Sequence, residues 1–312
     1  MIRRPHMLLT GCLISGLCVS FAMAQPKPPS EEELTRITAA APSKARVEPA
    51  KPRKLLVFSR AYGYVHISIP YGEAAFKAMA DKTKAFEVVC TTDADMFLPD
   101  NLKQFDAVVF NNTNEEIFLP ENYKDLTGAE KDLADKKDAA LKQSFVNYLK
   151  NGGGLAVTHA GVASFRQWPE FGEIVAARFD NHPWVSGTQV TMKVEDPEHP
   201  LAAAFKDLKE PRFTINDETY QVKENYSRDK VRVIVSIDTD KTNMKVDGVH
   251  RADGDFAITW IKPYGKGRVF YCAIGHDHPL FWNPMILQHY MDGIQFALGD
   301  LKADMTPVAK SK

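Results

Sequence analysis

Three histidines that stand just past short apolar runs are the residues of this sequence best suited to chemistry. His66 lies in the loop after Leu55-Leu56-Val57-Phe58, His159 directly follows Leu155-Ala156-Val157-Thr158, and His276 follows Phe270-Tyr271-Cys272-Ala273-Ile274 across Gly275. An unperturbed imidazole titrates near pH 6.5, and a positioned acid or base contributes on the order of 10²–10⁴-fold to a rate. Glu218, in Asp217-Glu218-Thr219-Tyr220, adds a carboxylate. His66, His159, His276 and Glu218 are thus the catalytic candidates. The same four fit Zn²⁺, Mn²⁺ or Ni²⁺ if the centre holds a divalent metal.

Substrate contacts are expected around them. Tyr62 and Tyr64 share the first loop with His66, and Asn111 and Asn112 follow the apolar run Ala107 to Phe110. His182 and Trp184, close to Phe179 and Asn181, pair imidazole and indole as carbohydrate-stacking sites do, and Asp217 and Tyr220 could hydrogen-bond sugar hydroxyls. His278 and His289 read instead as cap or core residues, His199 as part of a proline-rigidified turn, and Phe171 and Phe179 as packing. No P-loop, GxGxxG, HExxH, CxxC or GxSxG pattern occurs.

These side chains need a scaffold. Continuous apolar runs at residues 55–58, 86–90, 107–110, 155–158 and 268–274 read as strands covered on both faces. Between them, Ala75, Met79 and Ala80, then Leu141, Phe145, Val146 and Leu149, have helical spacing, and the second set stops at Gly152-Gly153-Gly154. The expected fold class is α/β: three layers, a mostly parallel sheet flanked by helices. Residues 186–261 predict β-rich additions, and Ile286, Tyr290, Ile294 and Ala297 a closing helix. Ligands of such sheets bind beyond the carboxyl ends of the strands, where the three histidines fall.

Of 312 residues, 44% are apolar, and 39 basic against 40 acidic side chains leave a formal charge of −1, which argues against nucleic acid as a partner. Residues 1–24 read as a signal peptide: Arg3 and Arg4, an apolar stretch from Met7 to Phe21, and Ala22-Met23-Ala24 as the cleavage site. A periplasmic or secreted protein with no stable membrane span is expected. Cys12 stands at the start of the apolar stretch, the wrong end for lipidation, and Cys90 and Cys272 read as buried free thiols. Residues 25–53, rich in Pro, Ala and charge, predict a disordered linker, residues 54–300 the α/β domain, and residues 301–312 a polar tail.

The ordered set of motifs resembles the trehalose-utilization ThuA-like family. The matching stretches are Gly63-Tyr64-Val65-His66 with Ile69-Pro70, Gly152 to Ala160, Trp168, Phe179 with His182-Pro183, His199-Pro200, Asp217-Glu218-x-Tyr220, Trp260, Gly265 to Tyr271, Gly275-His276 and Gly293 to Gly299. The resemblance implies a flavodoxin-like, class I glutamine amidotransferase-like fold and a sugar-related role, often on oxidised or keto forms of disaccharides. His159 stands near the elbow where amidotransferases carry cysteine, so glutaminase activity is not expected. Ile67 replaces an acidic residue that members commonly carry after the histidine.

The expectation is therefore an exported carbohydrate-active enzyme, a lyase, isomerase or hydrolase working on a keto-sugar or glycoside as its small-molecule ligand. The alternatives are a non-catalytic glycan-binding module using Trp184, Tyr62 and the asparagines, or a partner of an exported sugar oxidoreductase.

Overall fold

The structure, a computed structural model, describes residues 26–310. The expected leader and Cys12 lie outside the described residues. Eleven strands are found among them: β1 (Lys54–Phe58), β2 (Glu87–Thr91), β3 (Ala107–Asn111), β4 (Gly154–Thr158), β5 (Arg178–Trp184), β6 (Gln189–Val194), β7 (Arg212–Asn216), β8 (Thr219–Lys223), β9 (Arg232–Ile237), β10 (Ala257–Tyr264) and β11 (Gly267–Cys272). The helices are α1 (Glu31–Ala40), α2 (Ile69–Thr83), α3 (Pro99–Leu102), α4 (Gly128–Lys150), α5 (Pro169–Val175) and α6 (Pro284–Leu298).

The apolar runs pair as a parallel core in the order β2-β1-β3-β4-β11, with Val57 opposite Val109, Val109 opposite Ala156 and Ala156 opposite Phe270. That is the doubly wound 2-1-3-4-5 order of the flavodoxin type. Every residue of β3 and β4 is buried, as strands covered on both faces require. The second-half additions continue the same sheet antiparallel through β10, β9, β6 and β7, while β5 and β8 form a separate two-stranded ribbon. No helix among the described residues is long and apolar enough to cross a membrane.

The disordered linker expected over residues 25–53 is corrected. Ser30 and Glu33 form a reciprocal capping box that starts α1, and Ile37 is buried among core residues. Further on, Arg46 pairs with Asp292 of α6 at 3.0 Å, the Arg46 N–H donates to Gln295 Oε1 at 2.7 Å, and Arg53 pairs with Asp106 and Asp300. Low apolar content hid this docking because few apolar residues, Ile37 and Ala41 among them, are buried and charged pairs complete the attachment. Residues 301–310 carry no regular structure, yet Leu301 is buried and the Asp304 carbonyl lies 3.0 Å from His199 Nε2.

Candidate functional site

The first loop leaves β1, buries His66 and turns into α2 through the Ile69 N–H donating to the His66 carbonyl. Ser68 opens that helix without capping it; its hydroxyl donates instead to the Gly275 carbonyl at 2.9 Å, tying the first loop to the loop after β11. The sequence did not single out Ser68, and the only signal was a serine next to a helix-starting Ile69-Pro70 pair.

At the end of β4 the chain makes the elbow that the small residues suggested. His159 has φ +40, a left-handed conformation that costs a non-glycine residue roughly 1–2 kcal/mol. Residues 159–163 continue as a 3₁₀ turn. Gly161 is needed there, because a Cβ would sit 2.5 Å from Val157 Cγ1 and 3.2 Å from the Phe110 carbonyl. The His159 ring is fixed by Nδ1, 2.6 Å from the Ala273 carbonyl. A carbonyl only accepts, so Nδ1 carries the proton and Nε2 offers its lone pair.

His276 is presented by a loop gripped from several sides. Gly275 adopts φ +142, open to glycine, and both flanking N–H groups, of Gly275 and Asp277, donate to the Asp217 carboxylate at 2.8 Å. Asp217, fully buried and pushed up to about 8 by burial, therefore positions His276 and does not face substrate. The next residue, Glu218, enters the centre. Its Oε1 lies 3.2 Å from His276 Nδ1 and 3.5 Å from His159 Nε2, and its Oε2 lies 3.5 Å from His182 Nδ1.

The imidazoles of His66, His159 and His276 form a triangle, with centroids 5.0–5.3 Å apart and planes near perpendicular. All three are buried, and His66 Nδ1, His159 Nε2 and His276 Nδ1 have no hydrogen-bond partner. The contacts of the latter two with Glu218 are close without hydrogen-bond geometry. One donor atom from each of His66, His159, His276 and Glu218 can be chosen so that all lie within 4.8 Å of one another. Burial, reinforced by the neighbouring imidazoles, lowers the pKa of His66 far below the usual range, and burial also lowers that of His159. Burial disfavours charge at His276 and Glu218 too, but the contact with Glu218 outweighs it at His276 and raises the imidazole, and the contacts with His159 and His276 outweigh it at Glu218 and lower the carboxyl.

Tyr220 lies 4.2 Å, centroid to centroid, from His159 and forms a wall. Tyr64, 58% exposed, stands over His66 at 4.7 Å and stacks near His276 at 6.1 Å. His182, on β5, is half-exposed beside Glu218. These three join the four central residues.

Besides Asp217, four expected substrate contacts are corrected. Trp184 is buried, its Nε1 donating to the Asn243 carbonyl at 3.0 Å and its ring packed on Phe256. Asn111 is buried and holds the first loop through Ser59 Oγ and the Ile69 carbonyl. Asn112, buried at φ +50, reaches Ser68, Gly275 and Ala160 at 3.4 Å, so its amide ties loops together. Tyr62 donates to the Leu119 carbonyl and lines a neighbouring groove with Arg60, Glu73 and Glu121. In each case a strand-end polar group serves the scaffold's own backbone, which must be satisfied when buried. His289 is in the core against the Leu201 carbonyl, and His199 accepts from the Leu201 N–H as a cap.

A flavodoxin-ordered α/β sheet with a histidine elbow and a His/Glu centre at its carboxyl edge defines the class of protein. The chain belongs to the ThuA family, described as trehalose utilisation, whose model matches residues 54–297, and is thereby carbohydrate-related. Its fold is similar to that of a ThuA-like protein from Bacteroides uniformis ATCC 8492, with TM-score 0.59 and 19% identity over 88% of this chain and 95% of that one. A ThuA-like protein from Parabacteroides merdae ATCC 43184 is similar too, with TM-score 0.55 and 17% identity over 80% and 90% of the two chains. No curated protein matches the chain.

Proposed function

We propose that this protein is an exported enzyme of carbohydrate utilisation that acts beside the carbonyl of a keto-sugar or related sugar derivative. One observation carries the reading: three buried imidazoles, each with one nitrogen lacking a hydrogen-bond partner, and a carboxylate converge at the carboxyl edge of the parallel sheet. Buried polar atoms without partners cost about 1–3 kcal/mol each, so a cluster of them is not explained by stability. Family membership supports a sugar as the ligand.

Chemistry next to a ketone needs an electrophile at the oxygen and an acceptor for the proton on the adjacent carbon. Neighbouring groups whose pKa values are pushed apart supply such a division of labour. Here His66 and His159 are held neutral, while His276 is favoured in its charged form by Glu218. Isomerisation and eliminative cleavage both begin that way, and so does hydrolysis when elimination is followed by addition of water. Tyr64 and His182, the exposed residues beside this centre, contact the sugar. Export rests on the positively charged, apolar and A-x-A pattern of residues 1–24.

The test is to incubate the purified mature protein with a panel of keto-disaccharides and to compare His159→Ala and His276→Ala for turnover and sugar affinity. Lost turnover with kept affinity is expected. Unchanged turnover in both variants would overturn the reading.

A further inference from the structure

We propose that His66, His159, His276 and Glu218 form a binding site for one divalent first-row transition ion, of the class Zn²⁺, Mn²⁺ or Ni²⁺. This shares its site with the function proposed above but stands on separate observations. Ligands about 2.0–2.2 Å from an ion lie roughly 3–4 Å from one another, and here the four donor atoms are already within 4.8 Å before any ion draws them in. A contraction of about 1 Å between the farthest donors, within reach of rotamer adjustment, closes the set.

The unused lone pairs point the same way. Three imidazole nitrogens on separate loops are buried and unpartnered, and all belong to the same cluster. A hydrogen-bonding centre built for itself would have paired them. His159 shows the outer contact that ligating histidines have: the far nitrogen donates to a backbone carbonyl, here Ala273 at 2.6 Å, which fixes the tautomer and turns Nε2 inward. The loop carrying His276 is likewise preset by the Asp217 carboxylate and the Ser68 hydroxyl.

Charge completes the case. Among the described residues, Glu218 is only 8% exposed and its ion-pair partners are imidazoles alone, with no lysine or arginine in contact. In the unloaded site the charged form of His276 balances this carboxylate; a divalent cation takes that place when the three imidazoles bind it as neutral ligands. Three nitrogens, one oxygen and no thiolate suit borderline ions better than Ca²⁺ or Mg²⁺, which take oxygen cages. Four protein ligands leave one or two positions open for a substrate oxygen. In the loaded site the ion becomes the electrophile, and proton transfer passes to groups outside the ligand set.

The experiment strips the mature protein with chelator and titrates it with Zn²⁺, Mn²⁺, Ni²⁺ and, as a spectroscopic probe, Co²⁺. One equivalent of ion per chain, a visible Co²⁺ absorption and a raised melting temperature are expected. His159→Ala and Glu218→Gln should each weaken binding by more than about 100-fold, beyond the 10–100-fold typical of losing an outer contact. His250→Gln, a surface control, should leave it unchanged, and circular dichroism of each variant checks folding. Failure of the wild-type protein to bind any of the four ions overturns the proposal, whatever the variants do. Metal binding without turnover of any sugar would sink the proposed function and leave this site standing. Turnover by metal-free protein that also takes up none of the four ions would do the reverse.

Discussion

His159 Nδ1 lies 2.6 Å from the carbonyl oxygen of Ala273, so a residue at the tip of β4 is held in register by the end of β11, 114 positions later. The bond comes with a left-handed backbone at His159. Chemistry and strain therefore meet in one residue, as they do where function overrides local preference. Replacing it by glycine or alanine removes the imidazole equally, but only glycine relaxes the backbone. His159→Gly should be more stable than His159→Ala by about 1 kcal/mol in urea unfolding, with both inactive on keto-sugars. Equal stability would show that the backbone there is unstrained.

Tyr64 and Trp184 predict opposite behaviours for two aromatics. Tyr64→Ala, at the exposed rim, should weaken sugar binding by several-fold, in line with about 0.5–1.5 kcal/mol for an aromatic contact, with the melting temperature kept. Trp184→Phe should leave sugar affinity alone and cost about 1 kcal/mol of stability through the lost bond to Asn243. Calorimetric titration and thermal unfolding of both variants decide it.

The N-terminal segment should behave as part of the domain. Ile37 is 1% exposed, so Ile37→Ala should destabilise the protein by about 2–4 kcal/mol, read as a lower urea midpoint at unchanged slope. A neutral outcome would restore the view of this segment as a linker.

Acid should act through His289. Burial holds its imidazole at about 4, whereas an unfolded histidine titrates near 6.5. The folded pKa is depressed, so the associated stability is present above pH 6.5 and is lost as pH falls toward 4, about 3 kcal/mol over that window. His289→Gln should therefore show a shallower fall in unfolding free energy between pH 7 and pH 4.5 than the wild-type protein. Parallel curves would place the acid sensitivity elsewhere.

Much of the frame was legible because apolar runs translate directly into strands buried on both faces. Residues 55–58, 107–110 and 155–158 lie in β1, β3 and β4, and the residues after them gather at one edge. The additions over residues 186–261 were legible as strands, while their pairing into the same sheet was not, since alternation carries no register. His66, His159 and His276 converge as their positions after strands implied. Asn111, Asn112 and Trp184 were misread because a polar or aromatic side chain near a site has the same local sequence whether it faces a ligand or a neighbouring carbonyl. The docking of residues 26–53 was invisible for a related reason: its partners Asp292, Gln295 and Asp300 lie nearly 250 residues away.

That clasp has a consequence for how the molecule is made. Arg46 cannot find its carboxylate, nor Arg53 its second one, until α6 and the residue after its cap have emerged from the ribosome, so this part of the clasp waits for residues 246 and 247 positions later. A nascent chain halted before residue 292 should leave Arg46 without its partners and the segment around it more open to proteases, however completely the sheet behind it has formed.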